Sequence, residues 1–244
     1  MKFTLLGITQ GLTEFLPVSS SAHLYILKSI LNLEKSFLPF FVFLHLATLC
    51  AICIFLRKEI SSVLFKRKAL IQIGIITVIT FAFGLTIDCY FGRFFNSKYL
   101  IFICLFINGL ILLRVKINSQ SRGSESIILK DSLLLGILQG LAVFPGISRS
   151  GITIAGLLKK GFRPREAFSL SFLMAIPAII GAFLFKFKEL VDSGLGVIPM
   201  TRGFVAAFLF GLLALFVVKK TLVNRKFKNF GYYCIIVSVL ILFI

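Results

Sequence analysis

Five polar side chains that could take part in chemistry lie close together near the start of the sequence, between strongly apolar stretches. They are an acid, three consecutive hydroxyls and an imidazole: Glu14, Ser19, Ser20, Ser21 and His23. Ser20 and His23 are three residues apart, so a helix beginning here would place a potential nucleophile and a potential base on one face. Taken alone, each serine or the histidine is also compatible with a structural role, because such side chains commonly bond to nearby helix carbonyls.

Glu14 costs more free energy to bury in a membrane than the hydroxyls do. An ionised side chain in sequence this apolar costs about 2.5 to 3.5 kcal/mol or more if it enters a membrane without a partner. Gln10 lies one helical turn before it, and a second polar cluster contains Arg149 between Ser148 and Ser150. Arg149 is therefore the natural partner for Glu14, provided that the fold brings the two clusters together.

The composition is that of an integral membrane protein. The 244 residues are 58% hydrophobic and 15% charged, with a mean hydropathy of +1.02, which leaves too little polar surface to cover a water-soluble globule. Lys and Arg outnumber Asp and Glu by 27 to 9. These basic residues fall between the apolar runs, a placement that indicates membrane topology and argues against a nucleic-acid-binding face.

Six apolar runs are long enough, or nearly so, to cross a bilayer: 38–56, 69–87, 99–115, 167–185, 203–218 and 229–244. A helix of 19 residues is about 28 Å long, against about 30 Å of hydrocarbon. Two further segments, 3–33 and 132–158, each consist of two shorter apolar arms joined by a break rich in Pro and Ser. This pattern predicts helical hairpins that enter the membrane and return on the same side, with their broken backbone satisfied inside the protein.

The two hairpin segments are related by an internal repeat. Shifting the sequence by 129 positions aligns residues 5–23 with 134–152, and ten of these nineteen positions are identical. The alignment pairs Gln10 with Gln139. Each repeat then holds one hairpin and three spans, so the second copy is predicted to lie inverted relative to the first. We expect a single membrane domain (1–244) built from two repeats, approximately 1–118 and 130–244.

The distribution of charge predicts the orientation. Eighteen of the 27 basic residues lie in four loops, 57–68, 114–131, 159–165 and 219–228. The positive-inside rule places these loops in the cytoplasm and both termini on the outer side. The two hairpins then enter from opposite faces, and their tips are expected to meet near the middle of the membrane.

The paired tips have the features of a phosphate site. Each break puts hydroxyls where a second helix begins, so free N–H groups and the positive helix end favour an anion. Arg149 adds a forked cation suited to phosphate oxygens, and Glu14 could hold a divalent ion. Two alternatives remain open: a purely structural ion pair between the hairpins, and a transporter, because inverted repeats with half-helices are typical of transporters.

Two stretches closely resemble the signatures of the bacterial undecaprenyl-diphosphate phosphatases of the bacitracin-resistance type: residues 10–23, QGLTEFLPVSSSAH, and residues 145–153, PGISRSGIT. The resemblance extends over essentially the whole chain. It implies removal of the terminal phosphate from a C55 isoprenyl diphosphate, which recycles the lipid carrier of cell-wall precursors. It also implies a divalent metal and a site reached from the outer side of the membrane.

The resemblance also implies roles for individual residues. Gln10 and Glu14 correspond to the family's Glu/Gln-x-x-x-Glu pair, whereas Ser20, His23 and Arg149 fall on its proposed catalytic and phosphate-binding residues. Gln10 occupies a position that is Glu in part of the family, so coordination of metal by two acids is in doubt here. Ser21 stands where Thr is common and keeps the hydroxyl.

These observations predict an all-α integral membrane protein with six transmembrane helices and two re-entrant hairpins in an inverted repeat. Its predicted activity is hydrolysis of a polyprenyl diphosphate, with a polyprenyl-phosphate or anion transporter as the alternative. Either Ser20 or His23 is expected to attack the terminal phosphorus, with the other assisting. The residues expected to bind substrate are Gln10, Ser19, Ser21, Gln139, Ser148, Arg149, Ser150 and Thr153.

The metal is expected to be Mg²⁺ or Ca²⁺, held by Glu14 and Gln10. Expected partners are the isoprenyl diphosphate lipid and membrane lipids in the bacterial cell (inner) membrane, without nucleic acid, and the oligomeric state is open, a homodimer included. His45, the second histidine of the sequence, lies within the run 38–56 and is predicted to be a helix–helix contact and not a catalyst.

Overall fold

The computed structural model describes residues 1–33, 38–117, 121–192 and 196–243. In the first half the α-helices are α1 (Lys2–Phe15), α2 (Ser20–Ile30), α3 (Leu38–Phe55), α4 (Arg57–Leu64), α5 (Arg67–Phe91) and α6 (Lys98–Leu113). In the second half they are α7 (Leu129–Leu141), α8 (Arg149–Lys159), α9 (Pro164–Leu173), α10 (Ala175–Asp192), α11 (Val197–Val223) and α12 (Asn229–Ile241). Among the described residues the β-type pairing is limited to an isolated bridge between Arg122 and Phe162.

Three helical segments in the described part of the chain are long and apolar enough to cross a membrane alone: Arg67–Phe94, Pro164–Phe185 and Val197–Val223. A fourth candidate is the pair Phe40–Phe55 and Arg57–Leu64, which is bent by 79° at its break. α6 and α12 are apolar but shorter. The prediction of an all-α integral membrane protein is confirmed, and each of the six predicted runs coincides with helix. Residues 118–120 of the loop 114–131 and residue 244 of the run 229–244 lie outside the described residues.

Both predicted helix–break–helix segments are present, and each break contains a proline, Pro17 or Pro145. α1 ends at Phe15, two residues before Pro17, because a proline disfavours helical geometry in the residue that precedes it. The second break begins earlier than predicted, since α7 already ends at Leu141, and α8 begins at Arg149. The four arms have 11 to 14 residues and are therefore about 16 to 21 Å long, too short to cross the membrane.

Close packing of small residues fixes the position of α1. Gly7 and Gly11 lie against α11, where a Cβ atom at Gly7 would collide with the carbonyl oxygen of Gly203 and one at Gly11 with that of Ala207. Small residues spaced by four allow two helix backbones to approach closely within a membrane. The contact orients the last turn of α1, which carries Glu14.

Candidate active site

The two breaks lie against each other in the interior of the protein. The backbone N–H of Gly146 in the second break donates to Ser21 Oγ over 3.3 Å, and Ser150 Oγ donates to the carbonyl oxygen of Leu16 over 3.5 Å. α2 and α8 both begin at this junction. The positive ends of two helix dipoles are thus brought to one place, which favours an anion there.

Asn108, a fully buried residue of α6, connects both breaks. Its Nδ2 donates to the carbonyl oxygen of Pro17 over 3.1 Å, and its Oδ1 accepts from the backbone N–H of Ser148 over 3.1 Å. One side chain therefore satisfies a backbone acceptor of the first break and a backbone donor of the second. The sequence analysis did not identify it, although a lone amide in the middle of an apolar run is a signal of the same kind as Glu14.

We expect Asn108→Leu to lower the stability of the folded protein by about 1 to 3 kcal/mol, because it leaves the buried N–H of Ser148 unpaired, whereas the Pro17 carbonyl oxygen keeps the weak donor Cys234 Sγ at 3.5 Å. The measurement is the melting temperature of the purified protein in detergent. Asn96→Leu is the matched control, because Asn96 is exposed and its replacement should change the melting temperature little. Equal melting of both variants would show that Asn108 does not hold the breaks together.

The first break contains unusual backbone geometry. Ser19 has φ 68° and ψ 102°, a left-handed φ that costs a residue with a side chain on the order of 1 to 3 kcal/mol. Two contacts hold it: Ser19 Oγ is 3.0 Å from Ser21 Oγ, and the Ser19 carbonyl oxygen is 2.8 Å from His23 Nδ1. The sharp turn at Ser19 places Ser20 at the first position of α2, beside Glu14.

Glu14 is the centre of the polar cluster at the junction, and its side chain is 8% exposed. Arg149 Nη2 lies 2.9 Å from Glu14 Oε1, so the predicted pairing of these two residues is confirmed. The second carboxylate oxygen, Oε2, accepts hydrogen bonds from Ser20 Oγ at 2.9 Å and Gln10 Nε2 at 3.1 Å. The buried charge is therefore compensated by a cation and by two donors, as its cost requires.

His45 also belongs to this cluster, which the sequence analysis did not foresee. Its Nε2 is 3.5 Å from Glu14 Oε2, whereas its Nδ1 is 2.8 Å from the carbonyl oxygen of Phe41. A carbonyl oxygen can only accept, so Nδ1 carries the proton in this contact and Nε2 is the nitrogen that faces the carboxylate. His45 therefore forms a contact between α3 and α1, as predicted, and its partner on α1 is Glu14.

Ser20 and His23, which the sequence had suggested as a nucleophile and its assistant, have different hydrogen-bond partners. Ser20 donates to Glu14, while His23 stacks on Tyr233 of α12 and its Nε2 is 2.7 Å from the Tyr233 hydroxyl. Since His23 Nδ1 donates to the Ser19 carbonyl oxygen, a neutral ring accepts from Tyr233 through Nε2. In this arrangement Glu14, and not His23, is placed to take a proton from Ser20.

The remaining candidate residues lie next to this cluster or away from it. Ser148 caps α8 by accepting from the N–H of Gly151, and its Oγ is 3.1 Å from Ser150 Oγ. Thr153 donates to the carbonyl oxygen of Arg149 over 2.7 Å. These hydroxyls hold the first turn of α8.

Gln139 lies elsewhere, because its Nε2 donates to Thr80 Oγ1 and to the Met174 carbonyl oxygen. These hydrogen bonds connect Gln139 to α5 and to the break between α9 and α10, and not to the cluster around Glu14.

Two buried polar atoms of the cluster have no hydrogen-bond partner among the residues that the structure describes: Arg149 Nη1, a donor, and Gln10 Oε1, an acceptor. Buried polar groups are normally paired, so such atoms at one site point to a bound ligand. An anionic oxygen would satisfy Arg149, and a cation or a donor would satisfy Gln10. The Arg149 guanidinium also lies 5.6 Å from the centre of the Phe172 ring, which supports one face of the fork.

Comparison with known proteins places the chain in a family. Residues 3–240 match the family model described as bacitracin resistance protein BacA. The chain is 39% identical to an undecaprenyl-diphosphatase of Methanococcus maripaludis, with 99% of each chain covered. It is 38% identical to one of Thermosipho melanesiensis, covering 96% of this chain and 95% of that one. It is 39% identical to one of Carboxydothermus hydrogenoformans, covering 98% and 94%. This chain belongs to the BacA bacitracin resistance protein family.

Proposed function

We propose that this protein hydrolyses undecaprenyl diphosphate to the monophosphate and inorganic phosphate, at the cluster around Glu14. The observation that carries the proposal is that Arg149 Nη1 and Gln10 Oε1 are both unpaired among the described residues, on two side chains that contact Glu14. A phosphate oxygen satisfies the first atom and a phosphate-bound cation the second. The activity named for the full-length relatives is the same reaction on the same lipid, and the transporter alternative is not favoured by them.

In the proposed reaction Arg149 holds oxygens of the terminal phosphate through its free N–H, while the helix starts of α2 and α8 add backbone donors. Ser20 Oγ attacks the terminal phosphorus as its proton passes to Glu14 Oε2, 2.9 Å away. A serine O–P bond forms, the P–O bond to the bridging oxygen breaks, and the lipid monophosphate leaves. Water then cleaves the phosphoserine, which releases phosphate and regenerates Ser20.

A divalent cation fits the donors that are present. Glu14 offers carboxylate oxygens and Gln10 an unpaired amide oxygen, which are ligands that Mg²⁺ and Ca²⁺ accept. No group of three or more His, Cys, Asp or Glu side chains suited to a metal occurs among the described residues. The protein therefore supplies few ligands, a pattern typical of Mg²⁺ sites completed by substrate phosphates and water. A bound cation would neutralise charge that develops on the phosphates.

The proposal is tested with purified protein in detergent micelles and a polyprenyl diphosphate radiolabelled in its terminal phosphate. We expect release of labelled phosphate, its loss when divalent ions are chelated, and acid-stable label on the enzyme after rapid quenching, because phosphoserine survives acid. Acid-labile label would instead assign the attack to His23, and release of phosphate without labelled enzyme would favour direct attack by water. A transporter would release no phosphate at all, which would overturn the proposal.

The proposed topology has six spans with the two hairpins related by the inverted repeat. The packing supports it: α1 packs on α11 and α7 on α5, while α6 packs on α12. Under the shift of 129 positions, α7 is the counterpart of α1 and α11 that of α5. Such an exchange of partners between the halves is what a two-fold-related inverted repeat produces.

We expect the loops 57–68 and 219–228 to face the cytoplasm, with both termini and the region around Arg93 on the outer side, because the basic residues concentrate in the former loops. The measurement is labelling of single cysteines by a membrane-impermeant reagent in a background without native cysteines. A cysteine near Arg93 should react from outside, and one at Ser62 should react after the membrane is opened. Reaction of both from outside would overturn the inverted repeat.

A further inference from the structure

An open groove of about 970 Å³ lies between α6, α7 and α8. Leu134 and Leu138 of α7 form one apolar wall, and Ile152 and Ala155 of α8 form the other. The residues gathered around Glu14 do not line it. The groove is therefore distinct from the candidate active site, although α8 contributes to both.

Basic side chains cluster where α6 and α8 end. Arg114 and Lys116 follow α6, and Lys159 and Lys160 lie at the end of α8. All four line the groove, and no acidic residue is found among its described lining residues. Lys160 Nζ is 3.9 Å from Asp131 Oδ1. Within the described part of the chain, no ion pair is formed by Arg114 or Lys159. The groove is thus strongly cationic at this end and apolar along its walls.

A second cavity of the protein lacks this excess of basic residues. The cavity has a volume of about 520 Å³, and basic and acidic residues line it in equal number. The basic residues are Lys66, Arg165 and Lys219, and the acidic residues are Glu59, Glu125 and Glu166. A lining with equal numbers of basic and acidic residues does not favour an anion. The basic lining of the groove between α6, α7 and α8 does favour one.

The depth of the groove matches one leaflet of a bilayer. α8 runs from Arg149 at the junction of the hairpins to Lys159, a rise of about 15 Å, which is half of the ~30 Å hydrocarbon thickness. In the proposed topology the junction lies near mid-membrane, so that Lys159 reaches the membrane surface on the side of the basic loops. The apolar wall from Lys159 to Ile152 then descends about 10 Å into the hydrocarbon.

We propose that this groove binds an anionic phospholipid of the phosphatidylglycerol type. The phosphate lies against Arg114 and Lys159, and an acyl chain follows the wall formed by α7 and α8. Basic pockets between membrane helices on the cytoplasmic side bind anionic headgroups. A soluble anion would leave the apolar walls uncovered, and a zwitterionic lipid would leave the cations without a net counter-charge. Because α8 carries Arg149 at its other end, the bound lipid braces the helix that forms the candidate site.

The test is the melting temperature of the purified full-length protein in mixed micelles, which needs no assumption about its activity. Phosphatidylglycerol is expected to raise it by about 3 °C over phosphatidylcholine at equal concentration, as ligands of the native state do. The double variant Arg114→Gln/Lys159→Gln should lose this difference. The matched control, Lys66→Gln/Arg165→Gln, makes the same charge change at the other cavity and should keep it.

Three results would overturn the proposal. Equal stabilisation of the wild-type protein by phosphatidylcholine would show that the groove does not select charge. Equal stabilisation by inorganic phosphate would show that no lipid chain is involved. If both double variants lost the difference in melting temperature equally, the effect would be due to the net charge of the protein and not to this groove. The two lipid comparisons on the wild-type protein decide the matter even if a variant fails to fold.

Discussion

Glu14→Gln is expected to reduce the rate of phosphate release by at least about 10²- to 10⁴-fold, the range for loss of a general base. Glutamine preserves the size of the side chain and an oxygen that can accept from Ser20, so the change removes mainly the charge. That charge would accept the serine proton, help to hold a divalent ion and balance Arg149, which lies 2.9 Å away. The measurement is phosphate release per folded molecule, as a function of divalent metal.

The same variant is expected to be less stable, because Arg149 is left as a buried cation without its carboxylate. Removing one partner of a buried ion pair costs about 3 to 5 kcal/mol. The double variant Glu14→Gln/Arg149→Gln should therefore melt closer to the wild type and still be inactive. Glu125→Gln, the same change at an exposed site, is the control and should keep both stability and activity. A Glu14→Gln protein with most of its activity and an unchanged metal requirement would remove Glu14 from the mechanism.

The helical architecture and the pairing of Glu14 with Arg149 could be predicted from simple physical rules. Each break holds a proline, Pro17 or Pro145, beside several serines, so both breaks could be predicted from the sequence. The cost of a buried charge required a partner for Glu14, and the repeat indicated that Arg149 would be near it. Both arguments need only the local sequence and the positions of the charged residues.

The contacts that sequence reasoning missed depend on how distant helices pack. His45 reaches Glu14 because of the rotation and depth of α3, and no pattern within residues 38–56 specifies these. Ser20 and His23 do share one helix turn, but the left-handed φ at Ser19 directs Ser20 toward Glu14, while His23 meets Tyr233 from the far end of the chain. Neither the strained turn nor the position of α12 follows from residue spacing.

Arg149 bears the central claim, that the junction of the two hairpins is a phosphate site and not only an ion pair. Lysine keeps the positive charge but loses the forked geometry. The guanidinium can pair with Glu14 and hold a phosphate oxygen at the same time, and a lysine ammonium does this less well. One hydrogen bond to a charged group is worth about 1.5 to 3 kcal/mol, so Arg149→Lys should lower kcat/KM by about 10- to 150-fold. The protein should remain folded, because a cation still faces Glu14.

The decisive measurement is kcat/KM for phosphate release by Arg149→Lys beside the matched variant Arg122→Lys. Arg122 also pairs with a buried carboxylate, since its Nη2 is 2.6 Å from Asp131 Oδ2, but it lies outside the cluster around Glu14. We predict that Arg149→Lys is folded and severely impaired, and that Arg122→Lys turns over normally per folded molecule. Near-normal turnover by Arg149→Lys would show that Arg149 is structural and that phosphate is held elsewhere.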